Sequence, residues 1–122
     1  MKLASRWLPS QVRGFASEAT FEAFLGTSRQ RPLLVLCDQR GKSYSSEQFA
    51  AWIEARRDAG AGQIVLGIGP ADGWSAQVLH KADLRLSLGA MTLPHALARL
   101  VLAEQIYRAA TILGGHPYHL GH

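Results

Sequence analysis

Leu33-Leu34-Val35-Leu36-Cys37 is a continuous apolar run, and Gln63-Ile64-Val65-Leu66 is a second one further along the chain. Runs this short, without polar alternation, predict strands covered on both faces, as in a parallel sheet. Leu84 to Leu88 reads as a third, weaker strand. Helical patterns lie around them. Ser45 and Gln48 stand at capping-box spacing ahead of Phe49, Trp52 and Ile53, which share one face, and Gly60 and Gly62 stop that helix. A short helix is predicted from Ser75 to about Lys81, and the longest from about Pro94 to Leu113, ended by Gly114-Gly115. An early helix around Ser17 to Leu25 carries Phe21, Phe24 and Leu25 as an apolar stripe. Strands alternating with helices in this way define an α/β domain with a mostly parallel sheet.

The bulk properties agree with one such domain. A chain of 122 residues is an ordinary single-domain length, and 48% apolar residues exclude wholesale disorder and collagen-like sequence. No apolar run approaches the roughly 18 residues that cross a bilayer. The single cysteine, Cys37, excludes an intrachain disulfide, a CxxC redox pair and a multi-cysteine zinc site. Thirteen basic residues against nine acidic ones give +4. The excess is concentrated in residues 1–31, where Lys2, Arg6, Arg13, Arg29 and Arg31 face only Glu18 and Glu22. Such a balance permits a nucleic-acid partner, because Lys and Arg supply phosphate contacts, and it equally fits an ordinary soluble surface. The N-terminal residues hold no apolar h-region. With one cysteine and no export signal, the expectation is a cytoplasmic protein with no membrane partner.

Ligands of open α/β sheets bind beyond the C-terminal ends of the strands. Three loops follow the three strands: Asp38-Gln39-Arg40-Gly41-Lys42, Gly67-Ile68-Gly69-Pro70-Ala71-Asp72-Gly73, and Gly89-Ala90-Met91-Thr92-Leu93-Pro94. Glycines in the second loop allow positive φ and a close approach of ligand to backbone. Their spacing misses the dinucleotide fingerprint by one residue and lacks the G-K-[ST] of a P-loop. On spacing alone, a tight strand–helix turn is the favoured explanation. The third loop is small and apolar. Its backbone can hydrogen-bond an adenine edge with apolar side chains beside the ring, or it is a buried connection. The chain ends in His116-Pro117-Tyr118-His119-Leu120-Gly121-His122. Three histidines at intervals of three suggest metal ligation, but Pro117 breaks any regular helical scaffold, and no metal is expected. Tyr and His in place of solvating charges suggest that this tail docks.

Leu93-Pro94-His95, Leu102-Ala103-Glu104-Gln105-Ile106-Tyr107-Arg108-Ala109 and His116-Pro117-Tyr118-His119 together resemble the C-terminal signature of the RlmH family. These are SPOUT-class methyltransferases of a pseudouridine in large-subunit ribosomal RNA. Leu36-Cys37-Asp38 with Gly41-Lys42, and Gly67-Ile68-Gly69-Pro70, fit the same family in the same order. The resemblance covers about residues 33–119. It implies an α/β fold with helices on both faces of the sheet and a C-terminal trefoil knot. Residues 1–122 would form a single SPOUT-like domain, with 1–31 a divergent basic segment and 32–122 the knotted core. It further implies a homodimer that binds S-adenosyl-L-methionine and methylates N3 of a pseudouridine in large-subunit rRNA. The cofactor contacts would be Cys37, Gly67, Gly69, Leu88, Gly89, Ala90, Met91, Thr92 and Leu93. His119, Tyr118 and Arg108 are the catalytic candidates, His119 as proton acceptor or positioning group. Arg108 with Glu104 also fits a helix salt bridge at i,i+4 spacing. The alternative function is a non-catalytic knotted protein that binds RNA or the ribosome.

Overall fold

The structure is a computed structural model, and it describes residues 2–3, 10–11, 14–27, 31–70, 73–89 and 91–114. Two short strands, β1 (Lys2–Leu3) and β2 (Ser10–Gln11), pair antiparallel. Helix α1 (Glu18–Leu25) leads to the long strand β3 (Leu33–Ser43) and helix α2 (Ser46–Asp58). Strand β4 (Ile64–Gly67), helix α3 (Ala76–Leu79), strand β5 (Leu84–Ser87) and helix α4 (His95–Leu113) complete the order. The main sheet runs β4-β3-β5, with both pairings parallel. The expected parallel α/β architecture is therefore present. Residues 115–122, on which the trefoil knot would depend, lie outside the described residues.

Local chemistry fixes the helix ends. Ser45 Oγ accepts the Gln48 N–H while Gln48 Oε1 accepts the Ser45 N–H, the reciprocal capping box of the sequence. At the other end of α2, Gly60 N–H donates to the Arg57 carbonyl and Ala61 N–H to that of Arg56. This is a Schellman closure, and Gly60 sits at φ +98°. Ser17 caps α1 with a similar box through Thr20, and Ser75 Oγ caps α3 by accepting the Val78 N–H. Helix α3 is shorter than the sequence predicts: after Leu79 the chain turns through His80 and Lys81.

Residues of β3 alternate between two cores, as the two-residue period of a strand requires. Val35 packs with Phe49, Ala50 and Ile53 of α2, Leu86 of β5, and Leu102 and Ala109 of α4. Leu34 and Leu36 face the other way, onto Phe21 of α1 and Val78 of α3. Val35 and Leu36 are both 0% exposed, so helices cover both faces of the central strand. In α4, Ala98, Leu102, Ala109, Ala110 and Thr111 are buried, while Leu97 and Leu100 point outward at 44% and 66% exposure.

Two features of the sheet are not read from apolar runs. The first is the extent of β3, which does not end at Cys37. Cys37 and Lys42 both pair with Leu86, so residues 38–41 bulge from the ladder and the strand rejoins β5 through Ser43. The second is Asp83. Its Oδ2 accepts the buried Leu34 N–H at 2.7 Å, its own N–H donates to the Leu34 carbonyl at 2.8 Å, and Arg31 pairs with Oδ1 at 3.4 Å. Asp83→Ala should strand the Leu34 N–H in the core and lower stability by about 1–3 kcal/mol. Asp83→Asn, which keeps an acceptor, should lose less. Urea unfolding midpoints of the two variants check this, and equal losses would contradict it.

Candidate active site

Parallel strands send their C-terminal ends the same way, so the second and third predicted loops leave the sheet at one end, whereas the first, residues 38–42, proves to lie at the bulge within β3 rather than in a loop after it. Leu36 registers with Gly67 on β4, and Cys37 with Leu86 on β5. A side-chain contact joins the first and third loops: Gln39 Nε2 donates to Thr92 Oγ1 at 3.1 Å. Within the third loop, Ser87 Oγ accepts the Gly89 N–H and donates to the Gly89 carbonyl, both at 3.2 Å. Gly89 stands at φ +134°, a backbone conformation that L side chains rarely adopt, and among the described residues nothing lies within 4 Å of where a Cβ would be. Gly89, Met91 and Thr92 are exposed, Met91 at 81%, while Leu88 and Leu93 are half-buried. The described residues of the third loop thus form an exposed surface rather than a buried connection.

The second loop behaves differently from its sequence reading. Gly67 and Gly69 do not have positive φ; the turn is made by Gly73 at φ +86°, whose N–H donates to the Pro70 carbonyl. The two earlier glycines are required by Trp74. A Cβ on Gly67 would stand 2.9 Å from Trp74 Cζ2 and 3.0 Å from Leu36 Cδ2. A Cβ on Gly69 would stand 2.9–3.0 Å from Trp74 Cε2, Cδ2 and Nε1. The indole lies across both residues. Sequence reasoning did not single out Trp74, and only its position immediately after Gly73 hinted at it.

Cys37 is half-buried on the α2–α4 side of the sheet. Burial pushes its thiol pKa up to about 11, so it is a neutral, unreactive side chain at ordinary pH. The unfolded thiol ionises near 9.0 and the folded one near 11, so stability is lost as pH rises through that window. Comparing wild type with Cys37→Ala by urea unfolding should show an extra loss on the order of 2–3 kcal/mol in wild type between those values. Parallel pH profiles would refute the assignment.

Arg108 pairs with Glu104 on α4, with Nη2 to Oε1 at 2.6 Å and Nε to Oε1 at 3.0 Å. Its side chain is 15% exposed, so the guanidinium is held rather than waving in solvent. Gln105 next to it accepts from Ser46 Oγ at 2.7 Å, tying α4 to the start of α2. Arg108 stands about 20 Å of helix axis beyond His95, so within one chain it is not brought beside residues 88–93. Ala90, Tyr118 and His119 lie outside the described residues, as do Asp72 and the other histidines of the tail.

A family model described as "Predicted SPOUT methyltransferase" matches residues 10–119. Ribosomal RNA large subunit methyltransferase H of Koribacter versatilis is 46% identical over 126 residues, covering 100% of this chain and 84% of that protein. Proteins of the same name from Brucella ovis and Allorhizobium ampelinum are 51% identical over 94 residues and 52% identical over 88. Those matches cover 77% and 72% of this chain, but 56% and 55% of the two relatives, so they span only about half of those proteins' length. The chain belongs to the RlmH family of SPOUT methyltransferases.

Proposed function

We propose that this chain is an S-adenosyl-L-methionine-dependent methyltransferase of large-subunit ribosomal RNA, acting at N3 of a pseudouridine. The observation that carries the reading is the 46% identity, across the whole chain, to a protein named for large-subunit rRNA methylation. The reading includes a single cytoplasmic domain with the C-terminal tail threaded as a trefoil knot. No helix among the described residues is long and apolar enough to cross a membrane.

The residues present fit the donor. The space that the described residues leave beside Gly89 lets a flat adenine approach the backbone, and Leu88, Met91 and Leu93 supply apolar neighbours. Cys37, Gly67, Gly69 and Thr92 border the same edge of the sheet. S-adenosyl-L-methionine supplies a sulfonium-activated methyl group. The imide proton at N3 leaves above neutral pH, so the chain must help to remove it. His119 is the proposed acceptor, Tyr118 a positioning group, and Arg108 a cation for the developing negative charge. Alignment of nucleophile and methyl supplies much of the remainder.

A homodimer suits the outer face of α4. Leu97, Leu100 and Tyr107 are exposed at 44%, 66% and 44%, spaced along one side of the helix. Pairing through that stripe would carry Arg108 of one copy toward the loops of the other.

The test is methyl transfer. The full chain is incubated with methyl-labelled S-adenosyl-L-methionine and large-subunit RNA lacking the modification. Label at a single pseudouridine is expected. RNA binding without transfer would overturn this reading in favour of the non-catalytic one.

A further inference from the structure

We propose that Trp74 is a positioning residue for the methyl-donor site: its indole, clamped by α1, holds the backbone of Gly67–Pro70 in its receptive shape. The inference rests on the proposed reading of that loop as part of the donor site.

Three observations converge on Trp74. The ring fills the space that side chains at positions 67 and 69 would occupy, so the loop backbone rests directly on the indole. The ring is then held from behind. Phe21 of α1 lies 5.3 Å from it, centroid to centroid, and Phe15 lies 5.5 Å from Phe21 in an edge-on contact. The next residue is also tied to α1, because the Ser75 N–H donates to Glu18 Oε1 at 2.7 Å. Helix α1 thus grips both Trp74 and its neighbour. Through Trp74 it sets the floor under one of the loops proposed for the donor.

The indole N–H sharpens the assignment. Trp74 Nε1 is buried and has no acceptor among the described residues. A buried donor without a partner is unfavourable, so what keeps a tryptophan here is the extent of its ring. The glycines then have a reason different from ligand approach. They are small so that the ring can lie flat against the loop.

A double-mutant cycle tests this on the full chain. Binding of S-adenosyl-L-methionine is measured by calorimetry for wild type, Trp74→Ala, Gly69→Ala and the double variant, with kinetics on RNA alongside. Trp74→Ala should weaken donor binding at least tenfold and raise the donor KM in step, leaving the RNA KM within twofold. Gly69→Ala should weaken it similarly, because its methyl collides with the indole. In the double variant the further loss should be under twofold, since the ring it would strike is gone. Trp74→Ala with donor affinity within twofold of wild type would overturn the proposal, and so would additive losses in the double variant. If Trp74→Ala does not fold, Phe21→Leu serves, with a several-fold loss expected and no loss overturning. Wild type that fails to bind the donor would instead sink the reading of the loop as a donor site, and the inference with it.

Discussion

Gly41→Ala should cost about 3 kcal/mol of stability and lower Tm by about 10 °C. A Cβ at this position would stand 2.5 Å from the Arg85 carbonyl oxygen, 2.6 Å from its carbon and 2.9 Å from the Asp38 oxygen. All three are backbone atoms, and none can rotate out of the way as a side-chain end would. The chain must therefore lift off β5 where the bulge rejoins the ladder. Pairing of Lys42 with Leu86 and of Ser43 with Ser87 would be lost with it. So would the placement of Gln39 against Thr92. Urea unfolding reads the loss as a shifted midpoint at constant slope. An unchanged midpoint would mean that β3 does not return to β5 after Cys37.

Arg108→Ala is expected to lower methyl transfer by roughly 100- to 1000-fold, the usual scale for removing one preorganised stabiliser of developing charge. Folding should change little, because an i,i+4 pair contributes only about 0.5 kcal/mol to a helix. In the proposed reading, the pairing of the guanidinium suits such a task. Glu104 fixes its orientation through two short contacts, and 15% exposure leaves it poorly screened by water. Arg108→Lys should rescue at most part of the loss, since it keeps the charge but not the planar fork. Transfer within about threefold of wild type in Arg108→Ala would reduce the pair to a helix brace.

Much of this architecture is legible in the residues. Apolar runs at 33–37 and 63–66 locate two strands because both faces of a parallel sheet are covered. Ser45 with Gln48, and Ser75, mark helix starts because the orphan N–H groups there need an acceptor. The edge of the sheet that carries the loops follows from parallel order alone. What escapes is whatever depends on distant neighbours. Asp38 to Lys42 reads as a polar loop, and only the Arg85 carbonyl reveals that Gly41 is pressed into a strand. Gly67 and Gly69 read as turn glycines or ligand-approach glycines, and only the Trp74 ring shows what they approach. Asp83 looks like a surface acid until Leu34 is laid beside it. Strands β1 and β2 are two residues each and carry no apolar run to announce them.

The central place of β3 has a consequence for synthesis. It is the first strand of the main sheet to leave the ribosome, yet its partners Ile64 and Leu86 follow about thirty and fifty residues later. Its apolar residues must wait, without a ladder on either side, until most of the chain has emerged. Non-local pairing of this kind slows folding. Nascent chains halted before Leu84 should therefore draw on holdase chaperones, and those extended past α4 should release them.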